Sequence, residues 1–401
     1  MSSPDVLLLE KIHPDAEEAF VDAGLSVGRC DQALSGDDLL AALDGVRFLG
    51  LRSKSRVSAD VLSTAPSLEA IGCYCIGTNQ VDLNAAAAGG TAVFNSPFSN
   101  TRSVAEMTIA EIIALHRRLF DRSMQLHNGH WNKSATGAHE VRGRTIGIIG
   151  YGHIGSQVSV LAEALGMKVL FYDVLPRMAI GNAQPCKSLD ALLQKSDVVT
   201  LHVPATPATH HLIGGRELNI MKPGASIINN ARGTVVDLVA LAKSIKDGRI
   251  GGAAIDVFPE EPGSNNDTFH CPLTGVDNVI LTPHVGGSTE EAQSQIAIDV
   301  TMKLTRFATT GTTTTSVNIP EVYLPVHHPE HSRILHFHRN VPGVLSNLHA
   351  IIADAGANIH AEYLQSQGDV SYVILDIDAV KDTTLANRIG TLAETIKLRV
   401  L

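Results

Sequence analysis

Thr-Ile-Gly-Ile-Ile-Gly-Tyr-Gly-His-Ile-Gly, residues 145–155, joins a short apolar run to three glycines spaced Gly-x-Gly-x-x-Gly. The apolar run predicts a buried strand, and the glycines predict a tight turn into a helix. In such a turn Gly150 permits the bend, Gly152 lets a pyrophosphate approach the backbone, and Gly155 lets the helix pack on the strand. The stretch therefore predicts a dinucleotide-binding fold whose phosphates lie at a helix N-terminus.

An acidic residue follows at the distance that this fold requires. Residues 168–172 predict the next strand, and Asp173 ends it, about twenty residues after the glycines. A carboxylate there accepts hydrogen bonds from both ribose hydroxyls and repels a phosphate placed on one of them. We therefore expect NAD rather than NADP, although Arg177 lies close enough in sequence to soften the repulsion. A turn that binds nothing is the alternative, and the ordered succession of strand, glycines, helix, strand and acid disfavours it.

Composition limits the class of protein. The chain has 401 residues, 44% of them hydrophobic, and a formal net charge of -10. The length predicts two or three domains, and the charge disfavours binding to nucleic acid or to an anionic membrane. Five cysteines without metal-type spacing fit a reducing compartment. The apolar run near the N-terminus is too short for a signal peptide or a membrane span, so we expect a cytoplasmic location.

The glycine motif lies far from the N-terminus, which predicts a domain before it. Apolar runs alternate there with helical segments, as in a parallel sheet wrapped by helices. Long apolar helices at 101–119 and 292–307 are expected to carry the chain out and back, so that the nucleotide domain is an insertion. The predicted fold is α/β, with two doubly wound parallel-sheet domains and a C-terminal α+β domain. The expected bounds are a flavodoxin-like substrate-binding domain at 1–99 and 285–318, a Rossmann domain at 100–284, a linker at 319–331 and the α+β domain at 332–401.

The C-terminal domain shows a different order of elements. Its pattern predicts a strand from Arg333, a loop at 339–343, a helix at 344–355, strands near 357–364 and 370–377, and a helical tail at 384–397. Only residues 398–401 remain to supply a fourth strand. The pattern therefore indicates a strand-helix-strand-strand-helix unit.

Three polar residues follow predicted strands of the nucleotide domain, at the edge where ligands bind in such sheets. An imidazole titrates near neutral pH, so His284 is a candidate base, and Glu261 could hold its tautomer. Arg232 could grip a carboxylate with two hydrogen bonds. Each residue also has an interpretation without a catalytic role: a surface arginine, a loop glutamate and a histidine capping a strand. Together with the glycine loop, they favour an enzyme that moves a hydride from a hydroxyl-bearing carbon.

In this arrangement the chain resembles the D-isomer-specific 2-hydroxyacid dehydrogenases, in which an Arg, a Glu and a His follow the glycine loop in this order. The resemblance covers residues 1 to about 318 and implies that Arg232, Glu261 and His284 are catalytic. One departure is Asn230-Ala231, where bacterial members usually carry Ala-Ser. The positions that the resemblance implies for NAD are Gly150, Gly152, His153, Ile154, Gly155, Asp173, His202, Val203, Pro204, Asn230, Ala231, Arg232, Asp256, His284, Val285, Gly286 and Gly287.

Motifs at 50–53, 75–82 and 98–106 resemble those of bacterial members that oxidise 3-phospho-D-glycerate to 3-phosphohydroxypyruvate. The resemblance thus implies the first step of L-serine biosynthesis, with 2-oxoglutarate reduction as a side reaction. Such a substrate carries a phosphate and a carboxylate, so it needs two polar binding regions. The candidates are Arg52, Ser53, Lys54 and Lys133 for the phosphate and Gly77, Thr78 and Asn100 for the carboxylate end. Surface charges without a role are the alternative.

The loop Asn340-Val341-Pro342-Gly343 and the turn at 356–359 resemble those of an ACT domain, a ligand-sensing module that pairs across subunits. This resemblance implies L-serine as effector, bound by His338, Asn340 and Asn358. Asparagine also stabilises turns without any ligand. Together with Trp131, which we interpret as an interface anchor, the ACT resemblance predicts a homotetramer.

Histidines are densest between residues 327 and 338. We expect exposed linker histidines there rather than a metal site, because no carboxylate or cysteine stands at ligand spacing.

Two other functions are open. The same fold could act on glyoxylate or another short 2-oxo acid, or it could serve as an NAD sensor without catalysis. Intact Arg232, Glu261 and His284 argue against a sensor.

Overall fold

The computed structural model describes residues 3–262, 267–323, 327–328, 330–379 and 384–401. The chain divides into two compact units, Met1–Ser99 with Gln293–Leu401, and Asn100–Ala292. Each unit contains its own parallel sheet.

The first unit begins with a five-stranded sheet wrapped by short helices. Its elements are β1 (Val6–Leu9), α1 (Pro14–Asp22), β2 (Val27–Cys30), α2 (Gly36–Ala42), β3 (Phe48–Leu51), α3 (Ala59–Thr64), β4 (Ala70–Cys73), α4 (Leu83–Ala88) and β5 (Ala92–Asn95). All strands are parallel in the order β2-β1-β3-β4-β5. This is the flavodoxin-like order, so the predicted fold is confirmed. Sequence patterning missed β2, a half-buried edge strand that contains a glycine and an arginine.

The second unit contains a seven-stranded sheet. Its elements are α5 (Thr101–Arg117), α6 (Leu119–His127), β6 (Thr145–Ile149), α7 (His153–Ala164), β7 (Lys168–Tyr172), β8 (Gln184–Pro185), α8 (Leu189–Leu193), β9 (Val198–Leu201), α9 (Gly215–Ile220), β10 (Ala225–Asn229), α10 (Leu238–Lys246), β11 (Ile250–Ile255) and β12 (Val279–Leu281). The strand order is β12-β11-β10-β9-β6-β7-β8, and all pairs are parallel. The order reverses beside β6, where doubly wound sheets bind dinucleotides.

A long helix and an antiparallel domain complete the chain. Their elements are α11 (Glu290–Thr310), β13 (His331–Arg339), α12 (Val344–Asp354), β14 (Ile359–Gln367), β15 (Val370–Asp378), α13 (Leu385–Gly390) and β16 (Thr395–Val400). The four strands are antiparallel in the order β14-β15-β13-β16. The predicted α+β domain is therefore confirmed.

The predicted helical tail is wrong beyond Gly390. Residues Thr395–Val400 form β16, which pairs with β13. Ile396, Leu398 and Val400 alternate with charged residues, which is the period of a strand and not of a helix. Pairing also satisfies backbone groups along one edge of β13.

The prediction of exposed linker histidines is also wrong for two of the five histidines between residues 327 and 338. His336 and His338 lie in β13, at 0% and 3% exposure. They alternate with Leu335 and Phe337 in a strand whose two faces are both buried. Burial and the nearby His338 lower the pKa of His336 to about 4. His336 is therefore neutral at physiological pH.

No helix within the described ranges is long and apolar enough to cross a membrane.

Candidate active site

The glycine loop of the second unit forms a cradle with one open side. Gly150 has φ +90°, and a Cβ there would lie 2.5 Å from the carbonyl oxygen of His202. At Gly155 a Cβ would lie 2.2 Å from the oxygen of Gly150, whereas at Gly152 it would meet nothing within 4 Å. The loop leads into α7, whose N-cap residue is Gly152 and therefore supplies no capping side chain. Bare backbone at Gly152 faces open space at the start of this helix, as a pyrophosphate requires.

Asp173 lies beside this cradle, directly after β7. Its carboxylate accepts hydrogen bonds from the backbone N–H of Tyr151 (2.8 Å) and of Leu175 (2.9 Å). Arg177 approaches it at 3.4 Å. Asp173, the predicted ribose-binding acid, therefore contacts the glycine loop. Arg177, the cation predicted to lie near it, forms an ion pair with it.

His202 follows β9 on the other side of the glycine loop. Its Nε2 lies 3.0 Å from the hydroxyl of Thr200, and its Nδ1 is buried with no hydrogen-bond partner within the described ranges. Burial lowers the pKa of His202 to about 3, so the ring is neutral at physiological pH.

The turn that carries Arg232 is fixed from both sides. Asn229, which ends β10, accepts from the N–H of Ala231 (3.1 Å) and donates to the carbonyl of Arg232 (3.0 Å). A Cβ at Gly233 would lie 2.1 Å from the carbonyl oxygen of Phe258. Only glycine fits there, so the Arg232 turn packs directly on the segment that leads to Glu261.

A buried carboxylate organises the loop after β12. Asp256 follows β11 and is 1% exposed. Its oxygens accept from the hydroxyl of Thr282 (2.7 Å) and from the N–H groups of Val285 and Gly286 (2.8 Å each). Three donors on one carboxylate hold the backbone on both sides of His284.

His284 and Glu261 form the predicted pair. The Nδ1 of His284 lies 2.9 and 3.0 Å from the two carboxylate oxygens of Glu261, and Glu261 also accepts from the N–H of Phe258. His284 has φ +55° and a half-exposed side chain. The bond to Glu261 places the proton of a neutral ring on Nδ1 and leaves Nε2 free to accept one.

Asn100 lies against the same loop. A Cβ at Gly287 would lie 2.2 Å from the Nδ2 of Asn100. The Oδ1 of Asn100 is buried and has no hydrogen-bond partner in the described part of the chain. The structure therefore brings one predicted substrate residue to the His284 loop.

Five predicted substrate residues share one edge of the first unit's sheet. Arg52, Ser53 and Lys54 follow β3, and Gly77 and Thr78 follow the neighbouring β4. Gln80 joins the two loops, because its Nε2 donates to the carbonyl oxygens of Arg52 (2.7 Å) and Gly77 (3.2 Å).

Glu10 fixes the first of these loops. Its carboxylate accepts from the N–H groups of Arg52 (3.2 Å), Lys54 (2.9 Å) and Ser55 (2.8 Å). No carboxylate among the described residues forms a salt bridge with the guanidinium of Arg52. Glu10 therefore holds this loop through its backbone and leaves the Arg52 guanidinium outside any salt bridge with a described residue.

Lys133, the remaining predicted phosphate residue, belongs to the second unit. It is exposed on the segment after α6, two residues from Trp131. Trp131 is 79% exposed, and α6 itself has no buried residue.

The predicted effector residues lie at two ends of the C-terminal sheet. His338 and Asn340 are at the end of β13, where a cavity of about 600 Å³ is lined by Arg339, Asn340 and Val341 among others. Asn358 precedes β14, beside Asp378 at the far end of β15. Nine-residue strands separate these ends by about 25 Å, so one chain does not bring Asn358 to the other two.

Sequence patterning missed two residues that position these loops, Glu10 and Asn229. Both stand directly at the ends of apolar strands, which is the one signal that could have identified them.

Comparison with known proteins places the chain in a family. Residues 109–286 match the model of the NAD-binding domain of D-isomer-specific 2-hydroxyacid dehydrogenases. Residues 334–397 match the model of the AHAS small subunit-like ACT domain. A protein of Haemophilus influenzae named D-3-phosphoglycerate dehydrogenase is 50% identical over 98% of this chain and 96% of its own length. One of the same name from Escherichia coli K12 is 47% identical over 98% of this chain and 97% of its own.

A solved structure agrees. The crystal structure of D-lactate dehydrogenase from Aquifex aeolicus with NAD and lactic acid is 30% identical, with a TM-score of 0.64 over 76% of this chain and 95% of that one. The chain belongs to the D-isomer-specific 2-hydroxyacid dehydrogenase family. It is an oxidoreductase that uses NAD and carries a C-terminal ACT domain, as the sequence predicts.

Proposed function

We propose that this enzyme oxidises 3-phospho-D-glycerate to 3-phosphohydroxypyruvate in the cytoplasm, as the first step of L-serine biosynthesis. The observation that carries the proposal is the His284–Glu261 pair, since a base with a free Nε2 suits the oxidation of a hydroxyl. Two relatives named for this reaction, each alike over 98% of the chain, support the choice of substrate.

The proton of the substrate hydroxyl goes to Nε2 of His284. Glu261 then faces an imidazolium across a short hydrogen bond and stabilises its charge. The C2–H bond breaks as the C2–O bond becomes a carbonyl, and NAD supplies the hydride acceptor. In the reverse direction His284 returns the proton, and 2-oxoglutarate is the further 2-oxo acid that we expect to be reduced.

Cations hold the two anionic ends of the substrate. Arg232 binds the carboxylate with its planar guanidinium, and Asn100 orients that end. Arg52 and Lys54, whose backbone Glu10 fixes, bind the phosphate together with Ser53. Gly77 and Thr78 line the adjoining loop, and Lys133 is a further candidate for the phosphate.

The structure fits NAD by shape and charge. The pyrophosphate would lie over Gly152 at the start of α7, and the ribose hydroxyls would donate to Asp173. The remaining positions proposed to line this pocket are Gly150, His153, Ile154, Gly155, His202, Val203, Pro204, Asn230, Ala231, Asp256, Val285, Gly286 and Gly287.

The proposal keeps the domain roles predicted from the sequence. Residues 1–99 and 285–318 bind substrate, 100–284 bind NAD, 319–331 are a linker, and 332–401 regulate. L-serine is the proposed effector, bound by His338 and Asn340 of one chain and Asn358 of a second. A second chain is needed because these residues lie at opposite ends of the sheet within one chain.

A homotetramer would cover the apolar surface at α6. Leu119, Phe120, Met124 and Leu126 are each at least 55% exposed, as is Trp131. A patch of this kind suits a second copy of the chain. The free edge strand β14 suits pairing of two ACT sheets.

NADH formation from 3-phosphoglycerate, at alkaline pH with a ketone trap, tests the proposal. Turnover that millimolar L-serine suppresses supports both the activity and the regulation. Turnover indifferent to serine contradicts the effector assignment alone. If glyoxylate is reduced but 3-phosphoglycerate is not oxidised, the substrate assignment is wrong.

A further inference from the structure

A carboxyl group and an amide group face each other in the core of the second unit, beside the turn that carries Arg232. Glu111 of α5 is 4% exposed, and Asn230 is 8% exposed. The Nδ2 of Asn230 donates to Glu111 Oε2 (2.7 Å) and to the hydroxyl of Thr108 (3.1 Å). Two side chains of α5 thus hold the residue that opens the turn.

Each of the two groups has one oxygen without a partner. Glu111 Oε1 and Asn230 Oδ1 are buried, and neither accepts a hydrogen bond from any described residue. An ionised carboxylate would leave both as unmet acceptors, which is costly away from water. A proton on Glu111 removes the charge and supplies a donor. Burial, and to a lesser extent the charge of Asp256, raise the pKa of Glu111 to about 7, although the bond from Asn230 acts the other way.

The charge on Glu111 is not balanced by a cation. No lysine, arginine or histidine in the described part of the chain forms a salt bridge with it. Strands β10, β11 and β12 contain no charged residue. The buried face of α7, the helix packed on α5, consists of Gly155, Val158, Ser159 and Ala162. Asp256, one residue after β11, is the charged group that acts on Glu111.

We propose that Glu111 is a positioning residue that anchors the Arg232 turn through Asn230, and whose protonation state tunes the preference of the enzyme for oxidised or reduced cofactor. The inference rests on the proposed function, in which Asn230, Ala231 and Asp256 line the NAD pocket. Neutral Glu111 anchors the turn without adding charge. Ionised Glu111 adds a negative charge beside Asp256.

The two cofactor forms respond differently to that charge. The nicotinamide ring is positive in the oxidised form and neutral in the reduced form. A negative charge near the pocket favours a positive ring. By linkage, the oxidised form should gain affinity relative to NADH as pH rises through the range in which Glu111 loses its proton.

The test is equilibrium binding, which needs no turnover. Dissociation constants of both cofactor forms are measured between pH 5.5 and 8.5 for the wild type, Glu111→Gln and, as matched control, Glu106→Gln, which removes an exposed carboxylate of the same helix. In the wild type the ratio Kd(NAD)/Kd(NADH) should fall about 3- to 10-fold across this range. Glu106→Gln should follow the wild type, and in Glu111→Gln the fall should shrink by at least 3-fold. Contributions from other titrating groups are common to all three proteins.

A second variant tests the anchoring. Glu111→Ala removes the partner of Asn230 and should lower kcat/KM for 3-phosphoglycerate about 10-fold at every pH, and Glu111→Gln should restore it. An unchanged pH dependence in Glu111→Gln, or full kcat/KM in Glu111→Ala, overturns the inference. A wild type that binds no NAD or does not oxidise 3-phosphoglycerate would instead contradict the proposed function.

Discussion

In both parallel sheets a buried carboxylate holds a loop in place, but the two loops carry different functional groups. In the first, Glu10 follows β1 and accepts three hydrogen bonds from the loop after the neighbouring β3. In the second, Asp256 follows β11 and accepts three from the loop after the neighbouring β12. The first loop presents Arg52, a cation without a salt-bridge partner among the described residues, and the second presents His284 with Glu261. A buried carboxylate therefore fixes where each loop lies. Under the proposed function, the residue carried on the loop determines whether it binds or reacts.

If the His284 loop carries the catalytic base, removing the imidazole of His284 should have the largest effect on turnover. His284→Asn keeps a polar side chain but removes the base, so we expect kcat to fall about 10²- to 10⁴-fold while NADH still binds. Steady-state kinetics and NADH fluorescence titration measure the two quantities. The control is His127→Asn, an exposed histidine of α6. Normal turnover in His284→Asn would remove the distinction between the two loops, and full biological activity without turnover would favour the NAD sensor.

If the first loop only binds, Arg52→Ala should act on one class of substrate. Loss of a charge-assisted contact should lower kcat/KM for 3-phosphoglycerate about 10- to 100-fold. Reduction of glyoxylate, which has no phosphate, should change less than 2-fold. Arg56→Ala, an exposed arginine four residues on, is the matched control. Equal losses for both substrates would show that Arg52 does not recognise the phosphate.

The sequence was sufficient for the parts of the site that depend on local order. Gly150, Gly152 and Gly155, between a strand and a helix, predict the dinucleotide-binding loop, because each of the three positions sterically requires a residue without a side chain. Arg232 and His284 could be assigned to one edge because the carboxyl ends of parallel strands meet there.

The carboxylates that fix the loops could not be predicted. Glu10 bonds to residues 42 to 45 positions away, and nothing in the sequence encodes that separation. Asp256 was expected to face the cofactor, and its hydrogen bonds to the His284 loop were not foreseen. The tail after Gly390 was misread because its alternating pattern, residues 396–400, is short. The strand also depends on pairing with β13, a distant partner that the pattern does not show.

The two anchoring carboxylates themselves allow a sharper test. Glu10→Gln and Asp256→Asn each keep the size of the side chain but leave one acceptor oxygen for three donors, so each loop should loosen. Glu10→Gln should raise KM for 3-phosphoglycerate about 5- to 20-fold with kcat nearly unchanged. Asp256→Asn should lower kcat by a similar factor, because it displaces His284. If the two variants shift the same parameter, the loops do not divide binding from reaction.

The last prediction concerns stability and not kinetics. It depends on Glu111, a buried acid of α5 in the second unit. The pKa of Glu111 is raised to about 7 in the folded chain from an ordinary 4.5. Between these values the folded state holds a proton that the unfolded state has lost, so stability falls as pH rises from about 4.5 to 7 and is not lost further above. We expect this group to contribute a loss of roughly 3 kcal/mol across this range, or about 1.4 kcal/mol for each pH unit.

Thermal unfolding followed by circular dichroism at pH 5 and pH 8 measures this loss. Glu111→Gln cannot ionise and should be more stable than the wild type at pH 8, with the difference shrinking at pH 5. Glu106→Gln, on the exposed face of the same helix, should show no such difference at either pH. A Glu111→Gln protein less stable than the wild type at pH 8 would mean that the carboxylate, rather than the neutral acid, supports the fold. Glu111, paired with Asn230, would then resemble Glu10 of the first unit, which holds its loop as a carboxylate.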